Sequence, residues 1–179
     1  MDKKEFQEFC KNEFYRRGFK KVKKMYYLDG DKDLLCGIDL QKSYYGSCYY
    51  VNVNFFIKGF NPNLPYPTYY DVDIFSRILV MSKNLDKGEY YRTGQIEYEK
   101  YKESELRVYF DKAFDEWILP CIYEGTGYFV RLFNKPALKY GFDINPLREE
   151  LILEFLNIRK DWRKAFQQVS VQKGSETEN

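Results

Sequence analysis

Histidine is absent from the 179 residues. That removes the Ser-His and Cys-His nucleophile pairs, the His general acid and every His-containing zinc or haem site, and with them most common hydrolase mechanisms. An excess of one charge is also lacking: 29 basic and 27 acidic side chains leave a net charge of +2, so no global field draws the chain towards nucleic acid or an acidic membrane. No window holds the roughly 18 apolar residues that a membrane helix needs. The opening "MDKKEFQEFCKNEF" is charged where a signal peptide is apolar, so the chain is expected to stay in the cytoplasm. There is no Asn-x-Ser/Thr sequon and no phosphate-binding glycine loop ending in Lys-Ser or Lys-Thr. The four cysteines, Cys10, Cys36, Cys48 and Cys121, are scattered among apolar and aromatic neighbours, which predicts buried free thiols over a disulfide framework.

Aromatic side chains are plentiful. They make up 20% of the chain, with 18 Tyr and 15 Phe, and the hydrophobic share of 44% is that of a folded protein. The length suits one domain with one core, placed at residues 1–169, and the polar segment 170–179 reads as a flexible tail.

Phe6, Phe9, Cys10 and Phe14 recur at helical spacing, with Asp2 and Glu5 set as a capping box. Gly18 stops this helix, and Arg16 and Arg17 suit the negative end of its dipole. Lys20 to Leu28 reads as one strand, followed by the turn "DGDKD" and a strand from Leu34 to Lys42. Cys48 to Lys58 is a third strand, joined to the second by the glycine loop "SYYGS". Three closely spaced prolines make "GFNPNLPYPTYYD" a stiff loop, and Val72 to Leu79 returns to strand. A polar loop around "SKNLDKGEYYRTG" and a short strand at Gln95 to Lys100 follow. The period then changes: Leu106, Phe110, Ala113, Phe114 and Trp117 trace a helix with Ser104 as N-cap and Pro120 ending or bending it. Asn145 and Pro146 open another helical pattern with Leu147, Leu151, Phe155, Ile158, Trp162, Phe166 and Val169 on one stripe, interrupted at Asn157. The predicted fold is α+β: a mostly antiparallel sheet of four or five strands packed against the N-terminal helix and the C-terminal helices.

Several motifs fail on inspection. Asp29, Asp31 and Asp33 occupy the first three ligand positions of a calcium loop, but Leu34 stands where its Gly belongs and Leu40 where its bidentate Glu belongs. "RRGFKKVKK" has Lys20 where an RNA-recognition strand needs Gly or Ala. "GTG" lacks the third glycine of a dinucleotide fingerprint and reads as a linker, and Asp111, Asp115 and Glu116 read as a solvated helix face. No catalytic residue, cofactor or metal is expected.

The stretch "LQKSYYGSCYYVNVNF" carries more. If its two strands pair through their apolar faces, Gln41 lies opposite Tyr50 and Asp39 opposite Asn52. Asp39, Gln41, Tyr50, Asn52 and Asn54 then share one face, and Arg77 is expected to join them. The plainest reading of that face is the solvated side of a sheet; the functional reading is a hydrogen-bonding surface, rimmed by tyrosine, that grips a partner or ligand.

The order of amphipathic helix, "GFKK", a strand with paired tyrosines, "LQKS", a glycine loop and "YYVNVNF" resembles a bacterial family catalogued as domain of unknown function 4304, over about Met1 to Arg77. The resemblance implies a small cytoplasmic protein without an assigned activity, similar in size and layout to immunity proteins encoded beside secreted toxins. It brings no catalytic residues. The expected function is therefore a non-enzymatic interaction module with a protein partner such as a cognate toxin. A small-molecule binder or an enzyme of unrecognised type, using the polar sheet face and a pocket between the sheet and the proline-rich loop, is the alternative, and a nucleic-acid binder the third reading.

Overall fold

The structure, a computed structural model, describes residues 1–60, 62–84, 88–133 and 141–158. Helix α1 (Lys3–Tyr15) begins where the capping box places it: the Asp2 carboxylate accepts from the Glu5 N–H at 2.8 Å and the Glu5 carboxylate from the Asp2 N–H at 2.7 Å. Gly18, at φ 87°, turns the chain so that the Phe19 N–H reaches the Phe14 carbonyl at 3.1 Å and the Phe19 ring is buried. Arg16 and Arg17 do more than face the helix dipole. Both bind the buried Glu13 and Asp111 of a later helix, so Asp111 belongs to an ion-pair network and not to a solvated face.

The segment expected as one strand is a hairpin, β1 (Lys20–Val22) and β2 (Met25–Asp29), turned at Lys23 with φ 56°. Nothing in "KKVKKMYYL" announced it, since Lys is not a residue that favours this left-handed region. Strands β3 (Leu34–Lys42) and β4 (Tyr49–Ile57) follow the predicted alternation and register, with Asp39 opposite Asn52 and Gln41 opposite Tyr50. Strand β5 (Ile74–Arg77) adds to β4 but is shorter than expected. The chain then leaves the sheet to form a separate hairpin, β6 (Val80–Lys83) and β7 (Tyr90–Thr93), in the segment expected as a polar loop. Gln95 to Lys100 gives a single bridge, Ile96 to Tyr49, and a 3-10 turn over Tyr98–Lys100 in place of a strand. Strand β8 (Asp143–Ile144) pairs with β5 and completes a six-stranded antiparallel sheet in the order β1-β2-β3-β4-β5-β8, a meander extended by one late strand.

Helix α2 (Glu103–Ala113) starts one residue before Ser104, with the Lys102 N–H donating to the Glu105 carboxylate at 2.8 Å. Pro120 does not end it. A π turn at Phe114–Ile118, in which the Leu119 N–H reaches back to the Phe114 carbonyl, carries the helix into α3 (Leu119–Glu124). Pro120 falls at the start of α3, where a missing N–H is tolerated, and the Glu116 carbonyl accepts the Tyr128 hydroxyl at 2.8 Å. Gly125, at φ 73°, stops α3, and α4 (Thr126–Phe133) follows at once, so "GTG" is a corner between helices. Helix α5 (Glu149–Phe155) starts later than its pattern suggested and ends before Asn157, which takes φ 52° as the predicted interruption. Its buried side holds Ile152, Leu153 and Leu156, whereas Leu147, Leu151 and Phe155 of the predicted stripe are exposed. The Arg148 to Asp73 ion pair of 2.9 Å anchors the start of α5. Trp162, Phe166, Val169 and the polar tail lie outside the described residues.

The core lies between one face of the sheet and helices α1 to α5. Leu34, Cys36, Ile38, Val51, Val53, Phe55 and Ile57 meet Phe6, Phe14, Phe110, Phe114 and Trp117 there. All four cysteines are free and buried, and burial pushes the thiols of Cys10, Cys36 and Cys121 well up.

Candidate functional site

The opposite face of the sheet is divided. Near β2 it carries a small apolar cluster of Met25, Tyr27, Leu35, Phe56 and Val72. The proline-rich loop covers it, with the Tyr27 hydroxyl donating to the Pro67 carbonyl at 2.6 Å and the Tyr66 ring 5.3 Å away. Gly37 makes room for this cluster, since a Cβ there would lie 2.4 Å from the Met25 sulfur. Beyond Gly37 the face becomes polar.

Asp39, Asn52 and Arg77 form one row across β3, β4 and β5, because side chains at paired positions of an antiparallel sheet point the same way. Asn52 Nδ2 donates to Asp39 Oδ1 at 3.0 Å and to Gln41 Oε1 at 3.1 Å. Asn54 Nδ2 donates to Asp39 Oδ2 at 2.9 Å. Arg77 Nε donates to Asn52 Oδ1 at 3.1 Å, and its guanidinium carbon lies 4.2 Å from the centre of the Tyr50 ring. The orientation of Asn52 follows from chemistry: an ionised carboxylate only accepts and a guanidinium only donates, so the amide must turn its nitrogen to Asp39 and its oxygen to Arg77. Burial pushes the Asp39 carboxyl up, against the hydrogen bonds from Asn52 and Asn54 and the charge of Arg77.

All six residues predicted from the sequence are thus brought together, but the face is not simply solvated. Asn52 is 8% exposed and Asn54 only 1%. They line a cleft of 310 Å³ together with Gln41 and Arg77, and its other wall holds Tyr69, Tyr70 and the Asn145–Leu147 corner. Thr68 donates to the Asp71 carboxylate through its N–H at 2.7 Å and its hydroxyl at 2.8 Å, which holds the 3-10 turn bearing the two tyrosines. Asn145 is tied to the sheet edge by its Nδ2, which donates to the Val72 carbonyl at 2.7 Å. The sequence places a pocket between the sheet and the proline-rich loop, which holds Tyr69 and Tyr70, but it singles out neither tyrosine and misses Asn145 and Leu147. "TYYD", with Thr and Asp three apart, is a capping signal that points to the turn; nothing local links Asn145 to a strand so distant in sequence.

The remaining motif residues serve the fold. Asp29 accepts from Lys58 at 2.6 Å and from the Asp31 N–H at 2.8 Å, whereas Asp33 turns away to cap α4 at Thr126. These aspartates do not converge, and the described residues hold no group of three acidic or cysteine side chains able to bind a metal. No helix among the described residues is long and apolar enough to cross a membrane.

Fold and site together define an α+β domain whose antiparallel sheet is backed by helices on one side and opens a polar, tyrosine-walled cleft on the other. The model of a family described as "Domain of unknown function (DUF4304)" matches residues 11–120, more than half of the chain, and the chain belongs to that family. The match runs beyond Arg77, where the motif resemblance ends, through the second hairpin and α2 to Pro120. No curated protein and no solved structure matches the chain.

Proposed function

We propose that this chain is a non-catalytic protein-binding module whose cleft face grips a protein partner, and that the partner is a toxin neutralised in the bacterial cytoplasm. The observation that carries the reading is the set of exposed tyrosines around a preorganised polar floor. Tyr69 and Tyr70 on the cleft wall are 63% and 87% exposed, and Tyr44 and Tyr45 on the β3–β4 loop are 94% and 95% exposed. Tyrosine offers a large contact area with a polar tip at low entropic cost, and it is enriched where interfaces concentrate their binding energy. The resemblance in size and layout to immunity proteins makes a toxin encoded beside this chain the partner to test first.

Co-purification with the product of an adjacent toxin gene tests the reading. The wild type is expected to retain it, and the Tyr69→Ala/Tyr70→Ala double variant to lose roughly 2 kcal/mol or more of affinity. Because both rings are exposed, the melting temperature should hardly change. Failure of the wild type to bind, or unchanged affinity of the double variant, overturns the assignment. The alternative, a small polar ligand, is favoured by one observation: the cleft of 310 Å³ reaches the lower end of the ligand-site range. Enzyme chemistry is less well supported, since the carboxylate of the row, Asp39, is engaged by Asn52 and Asn54.

A further inference from the structure

Arg77 is bonded on one side only. Its Nε is held by Asn52 and its plane lies over Tyr50, yet neither Nη atom has a hydrogen-bond or ion-pair partner among the described residues. The charge that could neutralise it is intercepted. Asp39 stands in the same row with β4 between, two strand spacings or about 9.5 Å away along the backbone, and its two oxygens accept from Asn52 and Asn54. Among the described residues Asn52 alone touches both charges. The amide therefore relays Asp39 to Arg77 without letting them pair, which fixes the guanidinium and leaves its Nη edge unused. Gln41 behaves similarly: its Oε1 is taken by Asn52, and its Nε2 has no partner among the described residues.

We infer that the Nη edge of Arg77, with Gln41 Nε2 lining the same cleft, is a carboxylate-binding site, and that its occupant is an acidic side chain of the protein partner; this rests on the protein-binding reading above. A planar guanidinium offers paired parallel donors that match a carboxylate. Phosphate fits less well, because this row holds one cation with the Asp39 carboxylate behind it, too little positive charge for a dianion. A free carboxylate on an exposed arginine gains little in water, whereas a partner surface seated on Tyr69 and Tyr70 excludes water and strengthens the contact.

The test uses the full-length, nitrogen-15-labelled protein and the blocked peptide acetyl-Gly-Glu-Gly-amide, with its Gln counterpart, acetate and inorganic phosphate as comparisons. The Glu peptide is expected to shift the Arg77 Nε–H signal and the Gln41 and Asn52 amide signals saturably, at millimolar concentration. Replacing its Glu by Gln should weaken binding about tenfold, as loss of a charge-assisted bidentate contact implies. Arg77→Gln should abolish the response and Arg77→Lys reduce it, with melting temperature confirming that both variants fold. Equal response to the Glu and Gln peptides, tighter binding of phosphate, tighter binding of free acetate, or persistence in Arg77→Gln each overturns the inference. A partner that loses affinity for the Tyr69→Ala/Tyr70→Ala variant but not for Arg77→Gln removes the carboxylate site and leaves the protein-binding reading standing.

Discussion

At position 52 an aspartate could not donate to Asp39 and an alanine could not accept from Arg77; asparagine does both. Its nitrogen serves Asp39 and Gln41 while its oxygen serves Arg77, so nearly all of its hydrogen-bonding capacity is spent inside the protein. Asn52→Ala should therefore cost about 1–3 kcal/mol, since it leaves the half-buried Asp39 with one donor fewer and frees the guanidinium. Gln41→Ala, at an exposed position, should change stability by no more than about 0.5 kcal/mol. Urea denaturation of the two variants separates them, and equal losses would show that Asn52 does not organise the row. The row was legible because two neighbouring strands alternate cleanly and fix its register. The burial of Asn52 and Asn54 was not, because the cleft wall adds Asn145 and Leu147, which no local pattern connects to β4, to the tyrosines of the proline-rich loop.

Among the elements, those with an apolar face in one period were readable and those defined by a turn were not. Strand β3 was read to its final residue from Leu34, Cys36, Ile38 and Leu40, and α1 from its capping box. The β1–β2 hairpin escaped because its turn uses Lys23, and the β6–β7 hairpin because "SKNLDKGEYYRT" looks polar and, among the described residues of its two strands, only Val80 joins the hydrophobic core. The acidic turn between β2 and β3 shows how a local motif can serve a distant element. Asp33 Oδ1 accepts from the Thr126 N–H at 2.9 Å and Oδ2 from the Thr126 hydroxyl, capping α4 from across the chain. Gly125 is required beside it, since a Cβ there would lie 2.1 Å from Asp33 Oδ1. Asp33→Ala should destabilise the protein by about 1–2 kcal/mol in urea denaturation, and Asp33→Asn should recover part of the loss because its oxygen still accepts. A neutral Asp33→Ala substitution would place the cap outside the stabilising contacts.

At the scale of the whole molecule, three carboxylates withdrawn from water tie stability to pH in opposite directions. Glu13, 2% exposed, joins the end of α1 to α2 through Arg16, Arg17 and Arg107. Burial pushes its carboxyl up, but the hydrogen bonds from Arg17 and Arg16 outweigh that and hold it below the ordinary Glu value. Asp39 and Asp73 are held above the ordinary Asp value, burial prevailing over their hydrogen bonds and over the nearby Arg77 and Arg148. A lowered folded value means that the unfolded chain binds the proton more tightly, so the contribution of Glu13 is present above its ordinary value and is lost as pH falls through its folded value. A raised folded value reverses the sign: the contributions of Asp39 and Asp73 are fully present below the ordinary Asp value and are lost as pH rises through their folded values. The deficit of Glu13→Gln relative to wild type should therefore shrink as pH falls through the Glu13 range. The deficit of Asp39→Asn should grow as pH falls from neutrality towards the ordinary Asp value. Packing costs that do not depend on pH cancel from these slopes, so urea denaturation at a series of pH values isolates the charge effects. Slopes of the same sign for the two variants would contradict the opposed roles. Opposite slopes would separate Glu13, whose charge clamps the helices together, from Asp39, whose charge is tolerated beneath the cleft for the orientation it gives Asn52 and, through it, Arg77.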